Sequence, residues 1–275
     1  MYNRGSVRAG VEGETEDLIY AARFVLLRTH PFKKVSRMND LSHSFGFQAV
    51  AEQERERRIR RVFQAVAPRY DLMNDAMSFG IHRLWKRRFA CQAQPQAGQV
   101  IVDLAGGTGD VAALMAAPDR SVLVCDPSMA MMQHGRERGL RHIAWLSGTG
   151  EALPLADNSV DTLTIAFGIR NVTHLSRALT EIHRVLKPGG RFLCLEFSRP
   201  WALVRPLYNL FSFTVIPRLG AWIAREPEAY TYLVESIRRF PHQREFAGLI
   251  ENAGFRDVRF SNLTFGVACI HSATK

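Results

Sequence analysis

The chain has 275 residues, of which 47% are hydrophobic, and its formal net charge is +10. This is enough apolar material to bury a full core in one domain of about 200–250 residues. The four cysteines lie far apart without the spacing of metal ligands, which excludes a disulfide framework and indicates reduced thiols with no metal site. The charge is compatible with a nucleic-acid or anionic-membrane partner, and equally with a basic protein that binds neither.

The N-terminal stretch, residues 1–37, has no compact apolar segment with a small-residue cleavage site, so a secretory signal is not expected. It contains arginines, as transit peptides do, but also acidic residues that transit peptides avoid: Glu12, Glu14, Glu16 and Asp17. Two interpretations stay open, a flexible tail or a true start at Met38. We therefore predict an extension over 1–40 and a single domain over 41–275.

An arginine-rich amphipathic helix is predicted over 51–66. Apolar residues recur there at helical spacing beside five arginines: Ile59, Val62, Phe63 and Val66, with Arg55, Arg57, Arg58, Arg60 and Arg61. The helix is either solvated, with one face packed on the domain, or in contact with a membrane surface or a substrate tail. The preceding residues 38–50 are predicted to form a partly extended arm with an aromatic hook, Phe45-Gly46-Phe47.

Pro68 is expected to end this helix. The next segment, 69–86, is rich in Met, aromatic, Asn and His residues, which is too polar for pure core and too apolar for a free loop. That composition is typical of a lid that also lines a pocket, with plain core packing as the alternative. We predict a lid over 67–93, helical from Leu84 to Ala93.

From Val100 onward, strands and helices alternate, which indicates a doubly wound α/β fold with a parallel sheet. The predicted strands are Val100–Asp103, Ser121–Asp126, 144–146, Asp161–Ala166 and Arg191–Phe197. The predicted helices are Ser128–Gly139 and Ser176–Leu186, and later Gln243–Ala253, before a closing pair of strands, Val258–Leu263 and Gly266–His271.

Residues 200–225 are apolar and aromatic over a length that suggests a transmembrane helix. Polar and helix-breaking residues interrupt them, which argues against that interpretation: Arg205, Pro206, Asn209, Pro217 and Arg218. We predict instead an apolar cap over a substrate site, inserted at 200–230.

A glycine turn follows the first predicted strand, in the run from Asp103 to Asp110, and a helix follows the turn. This arrangement is typical of nucleotide binding, because glycines let the backbone approach the ligand. The run Gly107–Ala112 fits a dinucleotide fingerprint, with Asp126 for the ribose, so NAD stays open. Asp103 favours S-adenosylmethionine instead, because its carboxylate would repel a pyrophosphate but attract amino and sulfonium groups.

The runs Asp103-Leu-Ala-Gly-Gly-Thr-Gly-Asp110 and Leu186-Lys-Pro-Gly-Gly190 resemble class I S-adenosylmethionine-dependent methyltransferases. Further blocks resemble the ubiquinone/menaquinone biosynthesis C-methyltransferase family: the run from Tyr70 to Lys86, Phe167-Gly-Ile-Arg-Asn-Val172, Cys194-Leu-Glu-Phe-Ser198 and the run from Tyr232 to Pro241. The resemblance implies a seven-stranded, mostly parallel Rossmann-like sheet and S-adenosyl-L-methionine as cofactor. It also implies methylation of a ring carbon on a prenylated quinol: 2-polyprenyl-6-methoxy-1,4-benzoquinol, demethylmenaquinol or both.

The resemblance further implies the site residues. Arg170 would stabilise the phenolate that forms on the quinol, with a bound water, because an arginine is a poor base at its usual pKa above 12. A structural ion pair with Glu196 is the alternative for this residue. Asn171, Tyr70 and His82 are supporting candidates. The expected cofactor contacts are Asp103, Gly107, Thr108, Asp126, Thr149 and Gly150.

Two positions depart from the family's pattern. Thr149-Gly150 stands where the family usually has Asp-Ala or Asn-Ala for the adenine amino group, and Pro127-Ser128 follows Asp126 where an apolar residue and Asn are common. A threonine hydroxyl reaches less far, so we expect either weaker cofactor binding or a drifted site that keeps its activity.

Other functions compete with this interpretation: an RNA or protein methyltransferase, a methyltransferase on another small aromatic or lipid substrate, an NAD-dependent oxidoreductase, and a scaffold of a quinone-synthesis assembly. Ala166-Phe167-Gly168-Ile169 stands where amine methylases commonly have Asp/Asn-Pro-Pro-aromatic, so we expect no nucleic-acid partner. We expect a cytoplasmic enzyme in a bacterium, or a mitochondrial matrix enzyme in a eukaryote. Peripheral contact with the inner membrane and a homodimer or quinone-biosynthesis complex are further expectations.

Overall fold

The computed structural model describes residues 41–223 and 227–275, except the side chains of Met73 and of residues 216, 217, 219–223, 227 and 228. The extension expected over 1–40 lies outside the described residues. The strands are β1 (Ser44–Phe45), β2 (Gln48–Ala49), β3 (Val100–Leu104), β4 (Ser121–Asp126), β5 (Ile143–Ser147), β6 (Val160–Ala166), β7 (Leu186–Phe197), β8 (Arg256–Leu263) and β9 (Ala268–Thr274). The helices are α1 (Glu52–Val66), α2 (Tyr70–Ser78), α3 (Ile81–Ala93), α4 (Asp110–Met115), α5 (Met129–Glu137), α6 (Leu175–Val185), α7 (Arg205–Ile223), α8 (Pro227–Arg239) and α9 (Gln243–Asn252).

A seven-stranded sheet in the order β5-β4-β3-β6-β7-β9-β8 forms the centre of the fold. Strands β3 to β7 are parallel, and β9 runs antiparallel between β7 and β8. The strand order reverses between β3 and β6, and in such sheets ligands bind at the carboxyl ends of the strands beside the reversal. The predicted doubly wound α/β fold is confirmed.

Both faces of the sheet are covered, so its central strands are apolar on both sides. In β3, Val102 and Leu104 pack with α6 and α9, whereas Ile101 packs on the opposite face with α3 and α4. Asp103 shares the face of Ile101 but lies at the carboxyl end of the strand, where it is 1% exposed. A buried acid is therefore placed at the expected ligand site.

Several predicted boundaries differ from the structure for local physical reasons, although α1 ends at Val66 as predicted. β7 begins at Leu186 instead of Arg191, because residues 187–190 bulge out opposite Asp161, whose carboxylate binds Lys187 Nζ at 2.8 Å. After Pro68 the chain makes a single 3-10 turn and becomes helical again at Tyr70. The lid region therefore contains α2 and α3, separated by left-handed residues Phe79 and Gly80, where only a helix from Leu84 was predicted.

The cap region contains α7, which packs against α8, a helix that the sequence did not predict. Across the described residues, none of the helices combines the length and the apolar character that a membrane span requires. The expected aromatic hook is a two-stranded hairpin of β1 and β2, and Phe45 stacks on Tyr232 of α8 with ring centroids 4.3 Å apart.

Candidate active site

The glycine turn connects the end of β3 with the start of α4. Gly107 and Gly109 have φ values of +56° and +82°, a region that residues with a side chain rarely adopt. The Gly107 N–H donates to Oδ2 of Asp126 at 2.9 Å, and Oδ1 of the same carboxylate accepts from the Ser128 N–H at 2.7 Å. Asp126, the last residue of β4, therefore holds the turn from the neighbouring strand.

The Asp103 carboxylate supports the turn from β3. Its Oδ1 accepts from the Thr164 hydroxyl at 2.8 Å and its Oδ2 from the Ala112 N–H at 3.1 Å. Burial raises the pKa of Asp103 to about 7 and the pKa of Asp126 to about 6. A positively charged ligand beside the two carboxylates would lower both pKa values, so the pair favours such a ligand.

A cavity of about 390 Å³, which we call the turn cavity, opens beside the glycine turn. The ends of β3, β4 and β6 form one side, and α1 lines it with residues from Glu52 to Phe63. The expected cofactor contacts all line it: Asp103, Gly107, Thr108, Asp126, Thr149 and Gly150. No group of three or more His, Cys, Asp or Glu side chains among the described residues forms a metal site.

Charged side chains join the lid helices to the glycine turn. Asp110, at the start of α4, accepts from Lys86 of α3 at 2.8 Å and from Arg138 at 2.6 Å. Arg138 also lies 3.6 Å from Asp71 of α2. Burial raises the pKa of Asp71, and the nearby Asp110 charge adds to this. The lid helices and the glycine turn are therefore joined by one network of ion pairs. Two of its members, Lys86 and Asp110, line the turn cavity.

Arg55 contradicts the expectation of a solvated arginine face on α1. Its side chain is buried, with the residue 2% exposed, and its guanidinium donates to main-chain oxygens and one hydroxyl of two distant segments. The acceptors are the oxygens of Ser44 at 2.9 Å, Asn171 at 3.1 Å, Val172 at 3.1 Å and Arg170 at 3.5 Å, and Thr173 Oγ1 at 3.1 Å. Arg55 thus ties α1 to the loop after β6.

The position of Arg55 in the sequence indicates that it is buried. Arg55 precedes Ile59, Phe63 and Val66 by four, eight and eleven residues, so helical spacing puts it on the apolar face of α1. A buried guanidinium there needs acceptors, and the free carbonyls of a loop supply them.

A second cavity, about 590 Å³ and called here the apolar cavity, lies among the lid helices, α7 and α8. Aromatic and aliphatic side chains form most of its wall, including Phe211 of α7 and Leu233 of α8. The residues that line both cavities are Phe63, Tyr70, Phe167 and Asn171. The two cavities are therefore adjacent at these four residues.

Arg170 lines the apolar cavity and not the turn cavity. It is 6% exposed, and its Nη1 donates to Oε1 of Glu196 at 2.7 Å and to the Phe167 oxygen at 2.5 Å. The ion pair considered as an alternative is therefore formed. Burial raises the pKa of Glu196, and the Arg170 charge opposes that shift. Arg170 is thus a buried cation in an apolar wall, already balanced by one carboxylate.

The supporting candidates occupy different places around the two cavities. Asn171 accepts at Oδ1 from the Tyr232 hydroxyl at 2.9 Å, which leaves its NH₂ group as the donor for a ligand. Tyr70, at the start of α2, lines both cavities. His82 lines the apolar cavity alone, and its Nε2 lies 2.8 Å from Oδ1 of Asp75.

His82 has a structural partner as well as a place in the wall. The Arg83 guanidinium bound to Asp75 holds the pKa of that carboxyl well below its usual range, so the carboxylate is ionised and accepts the Nε2 proton. Burial lowers the pKa of His82. A neutral imidazole therefore joins α3 to α2.

The pair Thr149-Gly150, where the adenine contact was expected, lines the turn cavity. Thr149 is exposed and pairs through its main chain with Ala152, whereas Gly150 is buried. A Cβ on Gly150 would lie 3.4 Å from Val172 Cγ1, an ordinary van der Waals contact. The backbone therefore has room for the alanine that the family usually carries at this position.

A family model and two similar proteins indicate the same methyltransferase family. A family model described as the ubiE/COQ5 methyltransferase family matches residues 50–275. A ubiquinone/menaquinone biosynthesis C-methyltransferase UbiE of Rubrivivax gelatinosus is 72% identical over 235 residues, covering 86% of this chain and 94% of the relative. A mitochondrial 2-methoxy-6-polyprenyl-1,4-benzoquinol methylase of Arabidopsis thaliana is 48% identical over 267 residues, covering 88% and 93%.

Among solved structures, a Thermotoga maritima protein described as a SAM-dependent methyltransferase and possible histamine N-methyltransferase has a TM-score of 0.57 at 22% identity. The match covers 78% of this chain and 99% of that one. At this identity the likeness shows the fold alone, and it confirms the Rossmann-like sheet.

Proposed function

The chain is a methyltransferase of the ubiE/COQ5 methyltransferase family, and from that premise we propose that it methylates a ring carbon of a prenylated quinol with S-adenosylmethionine. The substrate is 2-polyprenyl-6-methoxy-1,4-benzoquinol, demethylmenaquinol or both, in ubiquinone or menaquinone biosynthesis. One observation carries the proposal: a cavity at the glycine turn, whose lining includes Asp103 and Asp126, and a larger apolar cavity share Phe63, Tyr70, Phe167 and Asn171 in their walls.

The residues of the turn cavity fit S-adenosylmethionine. A buried carboxylate at the end of β4 suits ribose hydroxyls, and Asp103 suits positive groups of the ligand. The backbone at Gly107 and Thr108 and the pair Thr149-Gly150 would hold the remainder, with the adenine beside the pair. When bound, S-adenosylmethionine supplies an electrophilic methyl group on a positively charged sulfur.

The chain's own groups then have to orient the quinol and stabilise charge. A ring hydroxyl gives its proton to a bound water, which makes the neighbouring carbon nucleophilic, and the Arg170 guanidinium in the apolar wall stabilises the resulting phenolate. Once that carbon carries the new methyl group, it loses its hydrogen as a proton to water and the aromatic ring is restored. Asn171 and Tyr70, which line both cavities, hold the ring with its reacting carbon toward the turn cavity.

Different parts of the domain hold the substrate and the cofactor. The lid over 67–93 and the cap over 200–230 enclose the quinol, which is supported by the lining of the apolar cavity by residues of α2, α3, α7 and α8. The sheet and its loops hold the cofactor. The enzyme works in the cytoplasm of a bacterium or in the matrix of a mitochondrion, next to the membrane that dissolves its substrate.

A direct assay tests the proposal. The purified chain is incubated with methyl-labelled S-adenosylmethionine and with a short-tailed benzoquinol or naphthoquinol, and products are identified by mass spectrometry. We expect the label on a ring carbon of at least one quinol, and calorimetric binding of S-adenosylmethionine but not of NADH. Absence of cofactor binding, or binding of NADH instead, would overturn the methyltransferase assignment of the turn cavity.

A further inference from the structure

Large apolar side chains are exposed around the mouth of the apolar cavity. Phe79, Leu207 and Phe265 line the cavity and yet are 77%, 73% and 58% exposed. Trp201 packs edge-on against Phe265 with ring centroids 5.8 Å apart. With two further leucines they form a surface that we call the mouth patch: Phe79, Trp201, Leu203, Leu207, Leu210 and Phe265.

Leu207 and Leu210 share one face near the start of α7, and Leu203 lies in the turn just before this helix. Leu203 and Leu210 precede and follow Leu207 by four and three residues, and they are 91% and 61% exposed. Contiguous exposed apolar side chains of this size mark an interaction surface on a water-soluble fold, because leaving them in water is unfavourable.

The charges around the patch favour an anionic partner. Residues 199–223 contain Arg199, Arg205 and Arg218 and no acidic residue. The chain as a whole carries a formal net charge of +10. Arg199 and Arg205 are each two residues from a patch residue in the sequence, and arginines next to exposed apolar side chains fit the boundary between anionic headgroups and acyl chains.

The size of the cavity supplies the reason for such a surface. Its volume of about 590 Å³ lies within the range of about 300–1,000 Å³ that encloses a drug-sized ligand. A quinol ring with the first part of its tail fills such a space, so a long prenyl tail has to leave through the mouth and cross the patch.

We propose that the mouth patch docks the protein onto a lipid bilayer that contains anionic lipid, so that the quinol ring enters the cavity while its tail stays in the membrane. The identity of the tail rests on the proposed function, whereas docking itself does not. Helix α1, whose arginines suggested a membrane contact from sequence, is not this surface, because it covers the turn cavity and buries Arg55.

The test uses the full chain and vesicles of phosphatidylethanolamine with phosphatidylglycerol. The variant Leu203→Glu with Leu210→Glu changes two patch residues that do not line the cavity, and Leu114→Glu, an exposed leucine on α4, is the matched control. We expect the wild type and the control to float with the vesicles, and the double variant to partition at least about tenfold more weakly. With a short-tailed quinol in water the three proteins should have equal turnover, whereas with a long-tailed quinol in vesicles the double variant should be at least about tenfold slower.

Wild-type flotation by the double variant would overturn the proposal. The proposal would also be overturned if the wild type is an oligomer and the double variant is a monomer, while both float equally with the vesicles. The patch would then be an interface between protein chains. Flotation as expected, with no methylation of any quinol, would support docking and refute the proposed substrate.

Discussion

Arg55 Nη1 donates to the main-chain oxygen of Asn171 at 3.1 Å, across 116 positions of sequence. This bond and its neighbours join the helix that covers the turn cavity to the loop that carries Arg170 and Asn171. One buried guanidinium therefore fixes α1, which lines the turn cavity, relative to the loop that lines the apolar cavity.

Replacing Arg55 with Met should damage both stability and turnover. The change leaves several buried carbonyl oxygens without a donor, so we expect the free energy of unfolding to fall by about 2–4 kcal/mol. Turnover should fall in Arg55→Met at temperatures where the variant is still folded, because the loop after β6 loses its anchor. Urea unfolding and steady-state kinetics measure the two effects.

Arg57→Met is the matched control for Arg55. Its side chain is 68% exposed and pairs with Glu54 one turn away, so the free energy of unfolding should change by about 0.5 kcal/mol or less. Equal effects of the two substitutions would show that Arg55 is no more important than a surface arginine.

Arg170→Ala should lower turnover without weakening the cofactor site. We expect kcat to fall about 100-fold or more, the scale for loss of a group that stabilises developing charge. The affinity for S-adenosylmethionine should stay within about threefold of the wild-type value, because Arg170 lines the apolar cavity and not the turn cavity. Kinetics and calorimetry on the same preparation separate the two readouts, and the calorimetry also reports folding.

Arg170→Lys keeps the charge but loses the planar guanidinium that binds Glu196 and the Phe167 oxygen. Its turnover should therefore lie between those of the wild type and Arg170→Ala. Wild-type turnover in Arg170→Ala would assign Arg170 to the ion pair with Glu196 alone.

Asp103 should make the protein less stable as the pH rises. Burial raises its pKa from 3.8 to about 7, so the folded chain holds this proton more tightly than the unfolded chain. Below about pH 4 this difference in pKa adds at most about 4 kcal/mol to the free energy of unfolding. The contribution is lost as the pH rises to about 7. Asp103→Asn, which mimics the protonated acid, should flatten this part of the pH profile in urea unfolding experiments.

Asp119→Asn controls for the loss of any carboxylate, because Asp119 is half exposed and paired with Arg120. The free energy of unfolding of Asp119→Asn should fall between pH 4 and 7 as it does in the wild type. The same fall in Asp103→Asn would mean that other groups cause it, Asp126 first among them because burial raises its pKa to about 6.

Restoring the family's usual pair at the adenine side should be tolerated. Gly150→Ala places its Cβ in ordinary contact with Val172 and should change the free energy of unfolding by less than about 1 kcal/mol. Thr149→Asp should keep or improve the affinity for S-adenosylmethionine in calorimetry, since a carboxylate reaches further than a hydroxyl. A large loss of affinity in Thr149→Asp would show that Thr149 serves a different geometry in this chain.

Local pattern was enough to predict the parallel strands and to place Asp103 and Asp126 at one edge of the sheet. The glycine turn is one contiguous segment, and parallel strands bring their carboxyl ends to one edge, so Asp103 and Asp126 had to meet there. The ion pair of Arg170 and Glu196 could be named as an alternative for the same reason, since β6 and β7 are neighbours.

The substrate side depends on contacts that no local pattern contains. The apolar cavity forms only when α2, α3, α7 and α8, distant in sequence, pack around it, and α8 was not predicted at all. Charge alone places Arg55 with the solvated arginines of α1, whereas its spacing places it on the apolar face. Its burial depends on carbonyl acceptors more than 100 positions away.

The most direct test of the central claim is complementation of a bacterial mutant that lacks quinone C-methylation, with its quinones identified by mass spectrometry. The account predicts that the chain restores the ring-methylated ubiquinone, menaquinone or both, and that Arg170→Ala restores far less. Persistence of only the demethylated quinones, in cells that contain the folded chain, would contradict it.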